Sequence, residues 1–466
     1  MAVRPAFPVR SVCVVLPHLA GTHDYPAVFG VVGGPALVVG GLKWETIMQH
    51  PEDLTERLNQ VQAAGQRWRE AEVRNRAIQA LAESLAAQRD TLLEANTLDL
   101  ETSRDMAVPE ILLEWNKLTP ERLQATVEGL RRLAACPDPL AAPTLYGHWQ
   151  RVPLGTIAFV YEAIPQLAWL VTAMALKTGN VLVLKGGHEC SQTQSVFLEI
   201  VRDVLAGHRL PEEGVMGLPP GTAIADLLGR ERLLRLAILY GRPTFVQQLT
   251  RQATISVVPA AIGNCFYYLS PTADLKLAVQ VLRESWATDP DPVNAVEGVI
   301  LHRQWRDRWA VKLWQELGGT FKLQGCVETV AFARQFPEIT VAPLVEGAWL
   351  HPPLDRTLRF KTVETAAEAI TWIDRFSSGH ADGILTDSLA ESTLFAAKVR
   401  SSSLFVNTSN RFERYGVSAT DGSKTIALGM TGLKSRGAAA RHPGPIDLYA
   451  LTTTKRIVSS APPRSL

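Results

Sequence analysis

The sequence predicts an α/β protein built on parallel sheets, and three observations carry that prediction. From Gly155 onward, apolar strand-like runs alternate with helical stretches, the pattern of strands joined by crossover helices. Before that point, apolar residues from Leu54 recur at helical spacing. The 466 residues, 46% hydrophobic and 20% charged, suit a large core divided over two or three domains.

Residues 1–47 differ in texture from the rest. Arg4, Arg10 and the apolar run Val12 to Leu16 faintly resemble a targeting peptide, but Pro17 and His18 interrupt the run and no small-residue cleavage site follows. Val28 to Gly41 carries five glycines and a proline, which disfavour a helix. This segment reads as a poorly ordered extension, with Met48 as a candidate translation start.

From Pro51 the texture is helical: Leu54, Leu58, Val61, Ala64 and Trp68, then Ile78, Leu81 and Leu85, then Leu92 and Leu93. Thr119-Pro120-Glu121 reads as an N-cap with proline at the first helical position, opening a helix through Leu133 that Cys136-Pro-Asp-Pro ends. Gly155 to Tyr161 and Val181 to Lys185 read as buried strands around a helix at Leu167 to Leu176. A helix over Gln192 to Ala206 and a short strand at Gly214 to Leu218 follow. A second β/α section spans Ser256 to Thr386, with a strand at Asn264 to Leu269, a helix at Ala273 to Trp286 and a strand at Gly298 to His302. The tail Asp447 to Val458 reads as a late strand.

Charge excludes some partners. Lys plus Arg is 47 against 46 for Asp plus Glu, so there is no basic footprint for nucleic acid or acidic membrane. No apolar run reaches the roughly 18 residues of a membrane span. The five cysteines are odd in number, scattered and without C-x-x-C spacing, which argues against disulfides and zinc and for a reducing cytoplasm. The ten histidines show no paired spacing, so no metal is expected.

The strand Val181 to Lys185 ends in Gly186-Gly187 before a helix, which is where an open parallel sheet presents backbone N–H groups to a nucleotide. Lys185 is placed there to reach a ribose or phosphate. There is no G-x-G-x-x-G, and a strand-end lysine is more ordinarily a solvated one.

Four stretches resemble the gamma-glutamyl phosphate reductase (glutamate-5-semialdehyde dehydrogenase) family of the aldehyde dehydrogenase superfamily. They are RVPLGTIAFVYEAIPQLAWLVTAMALKTGNVLVLKGG (Arg151 to Gly187), IGNCFYYLSPTADLKLAV (Ile262 to Val279), VNAVEGVILHR (Val293 to Arg303) and a discontinuous last set. That set comprises SGHADGILT (Ser378 to Thr386), FVNTSNRF (Phe405 to Phe412), LKSRG (Leu433 to Gly437) and LTTTKRIV (Leu451 to Val458). The resemblance covers the chain from about Met48 onward. It implies an aldehyde-dehydrogenase-like fold with a Rossmann-like cofactor domain, a β/α catalytic domain and an oligomerisation arm. The boundaries expected are 48–255 for the N-terminal helices and cofactor domain, 256–386 for the catalytic domain, and 387–466 for a return to the cofactor domain plus the oligomerisation strand. The arm, near Leu451 to Ile457, is expected to pair across a dimer or higher homo-oligomer.

The implied activity is NADPH-dependent reduction of L-glutamyl 5-phosphate to L-glutamate 5-semialdehyde, in cytoplasmic proline biosynthesis. A cysteine thiolate displaces phosphate, and hydride from NADPH releases the aldehyde. The resemblance places NADP against Tyr161, Glu162, Lys185, Gly186 and Gly241, and substrate against Asn407 and Arg411. It places the nucleophile at Val293, beside Asn294 and Glu297, on the floor of a pocket between the domains. Valine cannot attack a carbonyl, and removing a nucleophile costs on the order of a million-fold in turnover. Other positions depart together: Ile164 and Gln166 stand for arginine and asparagine, Tyr240-Gly241-Arg242 for Arg-Gly-Gly, Pro259 for glutamate, and Asp289-Pro290-Asp291 for Arg-Pro-Ser. Cys265 is the nearest alternative thiol, but a cysteine opening the apolar run Phe266 to Leu269 reads as a small buried hydrophobe. Two functions follow: a reductase with impaired catalysis, or a non-catalytic paralogue acting as a nucleotide-binding or regulatory subunit.

Overall fold

Periodic apolar side chains become buried helix faces in the computed structural model, which describes residues 51–68, 70–141, 149–416, 426–434 and 443–458. These lie in the compact unit Met48–Leu466. The extension 1–47 and the end of the LKSRG stretch lie outside the described residues. Leu54, Leu58 and Val61 are buried on α1 (Pro51–Gly65), and Ile78, Leu81 and Leu85 on α2 (Ala71–Ala87). The next helices are α3 (Arg89–Asp105), α4 (Glu110–Asn116) and α5 (Pro120–Ala135). Thr119 caps α5, its side chain accepting from Arg122 N at 3.2 Å, with Pro120 inside the first turn.

Two parallel sheets follow. The five-stranded sheet joins β2 (Thr156–Tyr161), β3 (Val181–Gly186), β4 (Val215–Gly217), β5 (Leu236–Gly241) and β6 (Val257–Ala261) in the order β4-β3-β2-β5-β6. All six residues of β2, β3 and β5 are buried, so these strands read as continuous apolar runs rather than alternating ones. The crossovers are α6 (Gln166–Lys177), α7 (Ser191–Gly207), α8 (Ile224–Leu228) and α9 (Pro243–Gln252).

The seven-stranded sheet has the order β10-β9-β11-β8-β7-β12-β13. Its strands are β7 (Cys265–Leu269), β8 (Val296–His302), β9 (Lys322–Gly325), β10 (Ala342–Pro343), β11 (Thr357–Val363), β12 (Ala381–Leu385) and β13 (Ser403–Val406). Helices α10 (Leu275–Ser285), α11 (Arg303–Leu317), α12 (Val327–Ala333), α13 (Ala366–Phe376) and α14 (Leu389–Lys398) cover it. One core face gathers Trp305 and Trp314 of α11 with Val299, Leu301 and Phe360 of β8 and β11.

Two elements fall across the boundaries read from sequence. β6 lies beyond residue 255 yet belongs to the first sheet, and β13 lies beyond 386 yet completes the second. Pairing, which composition does not encode, decides both. The late strand β16 (Thr452–Arg456) pairs antiparallel with β1 (Trp149–Pro153) of the same chain, Trp149 opposite Arg456 and Pro153 opposite Thr452. Between them in sequence, β14 (Met430–Thr431) and β15 (Gly444–Pro445) form a short ladder.

Candidate active site

The loop before β8 and the ends of β5 and β13 bring three polar side chains together in the interior. Asp291 is fully buried and Arg414 is 5% exposed. Arg414 Nη2 donates to Asp291 Oδ1 at 2.9 Å and to the Tyr240 hydroxyl at 2.9 Å, while Nε donates to the Leu428 carbonyl at 3.2 Å. The Tyr240 hydroxyl donates in turn to Asp291 Oδ2. Burial works to lower the guanidinium's pKa, but Asp291 together with Tyr240 and Tyr415 outweighs it and holds the pKa above its ordinary value. Burial, followed by that carboxylate, pushes the Tyr240 phenol well up. These groups tie the end of the five-stranded sheet to the loops of the seven-stranded one.

Val293 is 1% exposed and packs with Phe412, Ala427 and Met430. The nearby cavity, about 420 Å³, is bordered by Gln166, Arg122, Asp289, Arg411, Phe412 and Arg414, but not by Val293. The expectation of Val293 on a pocket floor is therefore corrected: an isopropyl group has nothing to gain from water or polar ligands and is sealed under apolar neighbours. Several of the cavity's charges are paired with one another. Arg122 of α5 grips Asp289 with two bonds of 2.7 Å, from Nε and Nη2, and Arg411 pairs with Glu413 at 3.1 Å. Gln166 is 3% exposed, and its amide nitrogen and oxygen have no hydrogen-bond partner among the described residues.

At the carboxyl edge of the five-stranded sheet, Glu162 receives three bonds from Arg242. The backbone N–H at the start of α9 donates to Oε2 at 2.9 Å, and Nε and Nη2 donate to Oε1 at 3.0 and 2.6 Å. The start of α7 is likewise taken: Asp99 accepts from Gln192 N at 2.9 Å, Thr193 N at 2.8 Å and the Thr193 hydroxyl at 2.7 Å. Lys185 Nζ donates to the carbonyls of Gly186 and Pro220, both at 3.0 Å, and burial lowers its pKa against the opposing pull of Cys190 and Glu189.

Other expected site residues do different work. Tyr161 is 1% exposed, stacks on Phe159 and donates its hydroxyl to Gln194 Oε1 at 2.8 Å, which also accepts from Gly186 N at 3.1 Å. A Cβ at Gly186 would lie 2.8 Å from that phenol ring, so this glycine permits close packing. Asn407, at φ 55°, staples β12 to β13 by accepting from Thr386 N at 2.9 Å and donating to Thr386 O at 2.8 Å. Of the two expected substrate contacts, Arg411 alone borders the cavity. Asn294 is buried, its carbonyl accepting from Asn410 Nδ2 at 2.7 Å. Glu297 is fully buried with neither carboxyl oxygen hydrogen-bonded among the described residues, and burial raises its pKa well above the usual carboxylate range, Arg359 opposing.

The model for the aldehyde dehydrogenase family matches residues 44–317. Gamma-glutamyl phosphate reductase 2 of Synechocystis sp. is 40% identical over 400 residues, covering 83% of this chain and 91% of that relative. The chain belongs to the gamma-glutamyl phosphate reductase family. The Gloeobacter violaceus gamma-glutamyl phosphate reductase is 32% identical over 401 residues, covering 84% of this chain and 92% of its own length. A crystal structure of the Thermotoga maritima gamma-glutamyl phosphate reductase superposes with a TM-score of 0.76 at 26% identity, covering 88% of this chain and all of that one. The fold is shared more widely, with a TM-score of 0.63 at 12% identity to an acetylating aldehyde dehydrogenase from Geobacillus thermoglucosidasius, covering 89% of this chain and 98% of that one.

Within that family frame, the sequence reading named Asp289, Asp291, Tyr240 and Arg242 only as departures. The structure gives each an internal partner. Arg122, Arg414 and Asp99 were missed altogether, since a charged residue on a helix or loop carries no local signal of a distant partner. Cys190 and Cys265 offer no replacement in place: both are fully buried, and burial raises both pKa values, aided by Asp99 and Asp382 respectively. Such thiols stay protonated and inert.

Proposed function

We propose that this chain is a non-catalytic member of the gamma-glutamyl phosphate reductase family that acts as a regulatory subunit and forms a homo-oligomer in the cytoplasm. The observation that carries the reading is the state of Val293: sealed against Phe412, Ala427 and Met430, with the carboxylate–guanidinium–phenol network of Asp291, Arg414 and Tyr240 beside it. Family chemistry needs an accessible thiolate, and covalent catalysis has no step without one. The alternative, residual oxidoreductase activity on L-glutamyl 5-phosphate, would need a thiol to reach the cavity.

NADP is the cofactor that family membership implies, and an engineered glycolyl-CoA reductase of the same fold carries bound NADP+. The residues here do not fit it. The starts of α7 and α9, which follow β3 and β5, already hold carboxylates, so no reaction step is assigned to the cofactor.

The test is phosphate-dependent NADP+ reduction with L-glutamate 5-semialdehyde, using purified full-length protein before and after thiol alkylation. No turnover above a heat-denatured control is expected. Turnover abolished by alkylation would overturn the proposal and direct attention to the chain's own cysteines. Size-exclusion chromatography with light scattering checks the oligomer, and a monomer would refute that part.

A further inference from the structure

We propose that Arg242 and Glu162 form an internal latch that excludes NADP(H), so this chain has given up nucleotide binding and is not a nucleotide-holding subunit. A dinucleotide's phosphates need free N–H donors at a helix start and a loop able to approach them closely. The start of α7 is occupied: the Ser191 N–H donates to the His188 carbonyl, and Asp99 accepts from the N–H groups of Gln192 and Thr193. At the start of α9, Pro243 has no N–H and the N–H of Arg242 is held by Glu162 Oε2 at 2.9 Å.

The guanidinium completes the closure. Nη2 and Nε sit 2.6 and 3.0 Å from Oε1, so both carboxylate oxygens are committed. Glu162 is 8% exposed and Arg242 31%, which leaves this charge-assisted pair partly shielded from solvent. The loops have closed down to match. A Cβ at Gly241 would lie 2.8 Å from Glu162 Cβ, and one at Gly187 would lie 2.3 Å from Glu189 Oε2 and 2.6 Å from the Glu162 carbonyl oxygen. Two carboxylates therefore flank the space a pyrophosphate would enter, and the Arg242 guanidinium beside it is neutralised. Lys185, the other candidate donor, is held by two backbone carbonyls.

The inference stands apart from the loss of thiol chemistry, because nucleotide binding requires no nucleophile. Its test is a fluorescence titration of the full-length protein with NADPH alone, with folding of each variant checked by circular dichroism. Wild type should show no saturation up to about 1 mM. Glu162→Gln keeps the shape, removes the charge and frees the Arg242 guanidinium for a phosphate, so affinity should rise about ten- to a hundredfold. Arg242→Gly leaves the carboxylate on the helix start and should not tighten binding. Glu162→Ala repeats the gain if the glutamine variant fails to fold. Saturable wild-type binding in the micromolar range overturns the latch. So does a charge-removing variant at Glu162 no tighter than wild type, or an Arg242→Gly that gains as much. Since no substrate is present, a failure here is read separately from a failure of the turnover assay.

Discussion

Breaking the Asp291–Arg414 pair one side at a time, then both together, tests whether this network is the bolt between the two sheets. Asp291 is fully buried, Arg414 has 4% of its side chain exposed, and the two meet at 2.9 Å. Asp291→Asn leaves a guanidinium that cannot lose its proton in the interior, and Arg414→Met leaves a carboxylate there. Each single change should cost about 3–5 kcal/mol, the range for an uncompensated buried charge. The double variant removes both charges, and the asparagine carbonyl still accepts from Tyr240. Its methionine packs toward Phe412, whose ring already lies 5.5 Å from the Arg414 guanidinium carbon. The double should therefore cost only about 1–3 kcal/mol, for imperfect packing and a stranded amide donor. Urea denaturation followed by tryptophan fluorescence gives these values from the midpoint and slope, with eleven tryptophans as reporters. A double-variant cost equal to the sum of the singles would mean the two residues act independently, and the bolt would be refuted.

Three further measurements probe the surrounding structure. Burial pushes the His380 pKa down from 6.5 to about 4. Because the folded value is lowered, its stability contribution is complete above the unfolded pKa and disappears as pH falls from 6.5 towards 4. That loss is about 3 kcal/mol, and a His380→Gln variant should flatten it in pH-dependent melts. Cys190 and Cys265 should resist alkylation in the native protein and react only in denaturant, as counted by mass spectrometry; rapid native labelling of Cys265 would contradict its raised pKa. Gly298→Ala places a Cβ 2.1 Å from the Phe266 ring, so the β7–β8 contact should lose about 1–3 kcal/mol, measured as a lowered denaturation midpoint.

The sequence alone determined the elements, because their signals are local. Thr119-Pro120 caps α5 through groups three residues apart, and the unbroken apolar runs of β2, β3 and β7 announce strands covered on both faces. It also determined the family, since four motifs in order carry information no single motif holds. The family resemblance points to Val293 as the nucleophile position, and that a valine cannot do thiol chemistry follows from the identity of one side chain.

What the tertiary structure decided is the pairing. Arg122 meets Asp289 across 167 residues, Arg414 meets Asp291 across 123, and Arg242 meets Glu162 across 80. No short-range rule joins charges so far apart. Arg242 and Glu162 meet because the paired parallel strands β5 and β2 deliver their following loops to the same sheet edge, whereas packing of α5 and the segment after β13 against the loop before β8 brings the other two pairs together. The same reason explains why β6 and β13 crossed the expected boundaries, and why Tyr161 and Asn407, both matched by motif, turned inward to hold the scaffold. A motif fixes where the backbone goes. Whether its side chains face a ligand or each other depends on the opposing loops, and here those loops supply the partners themselves.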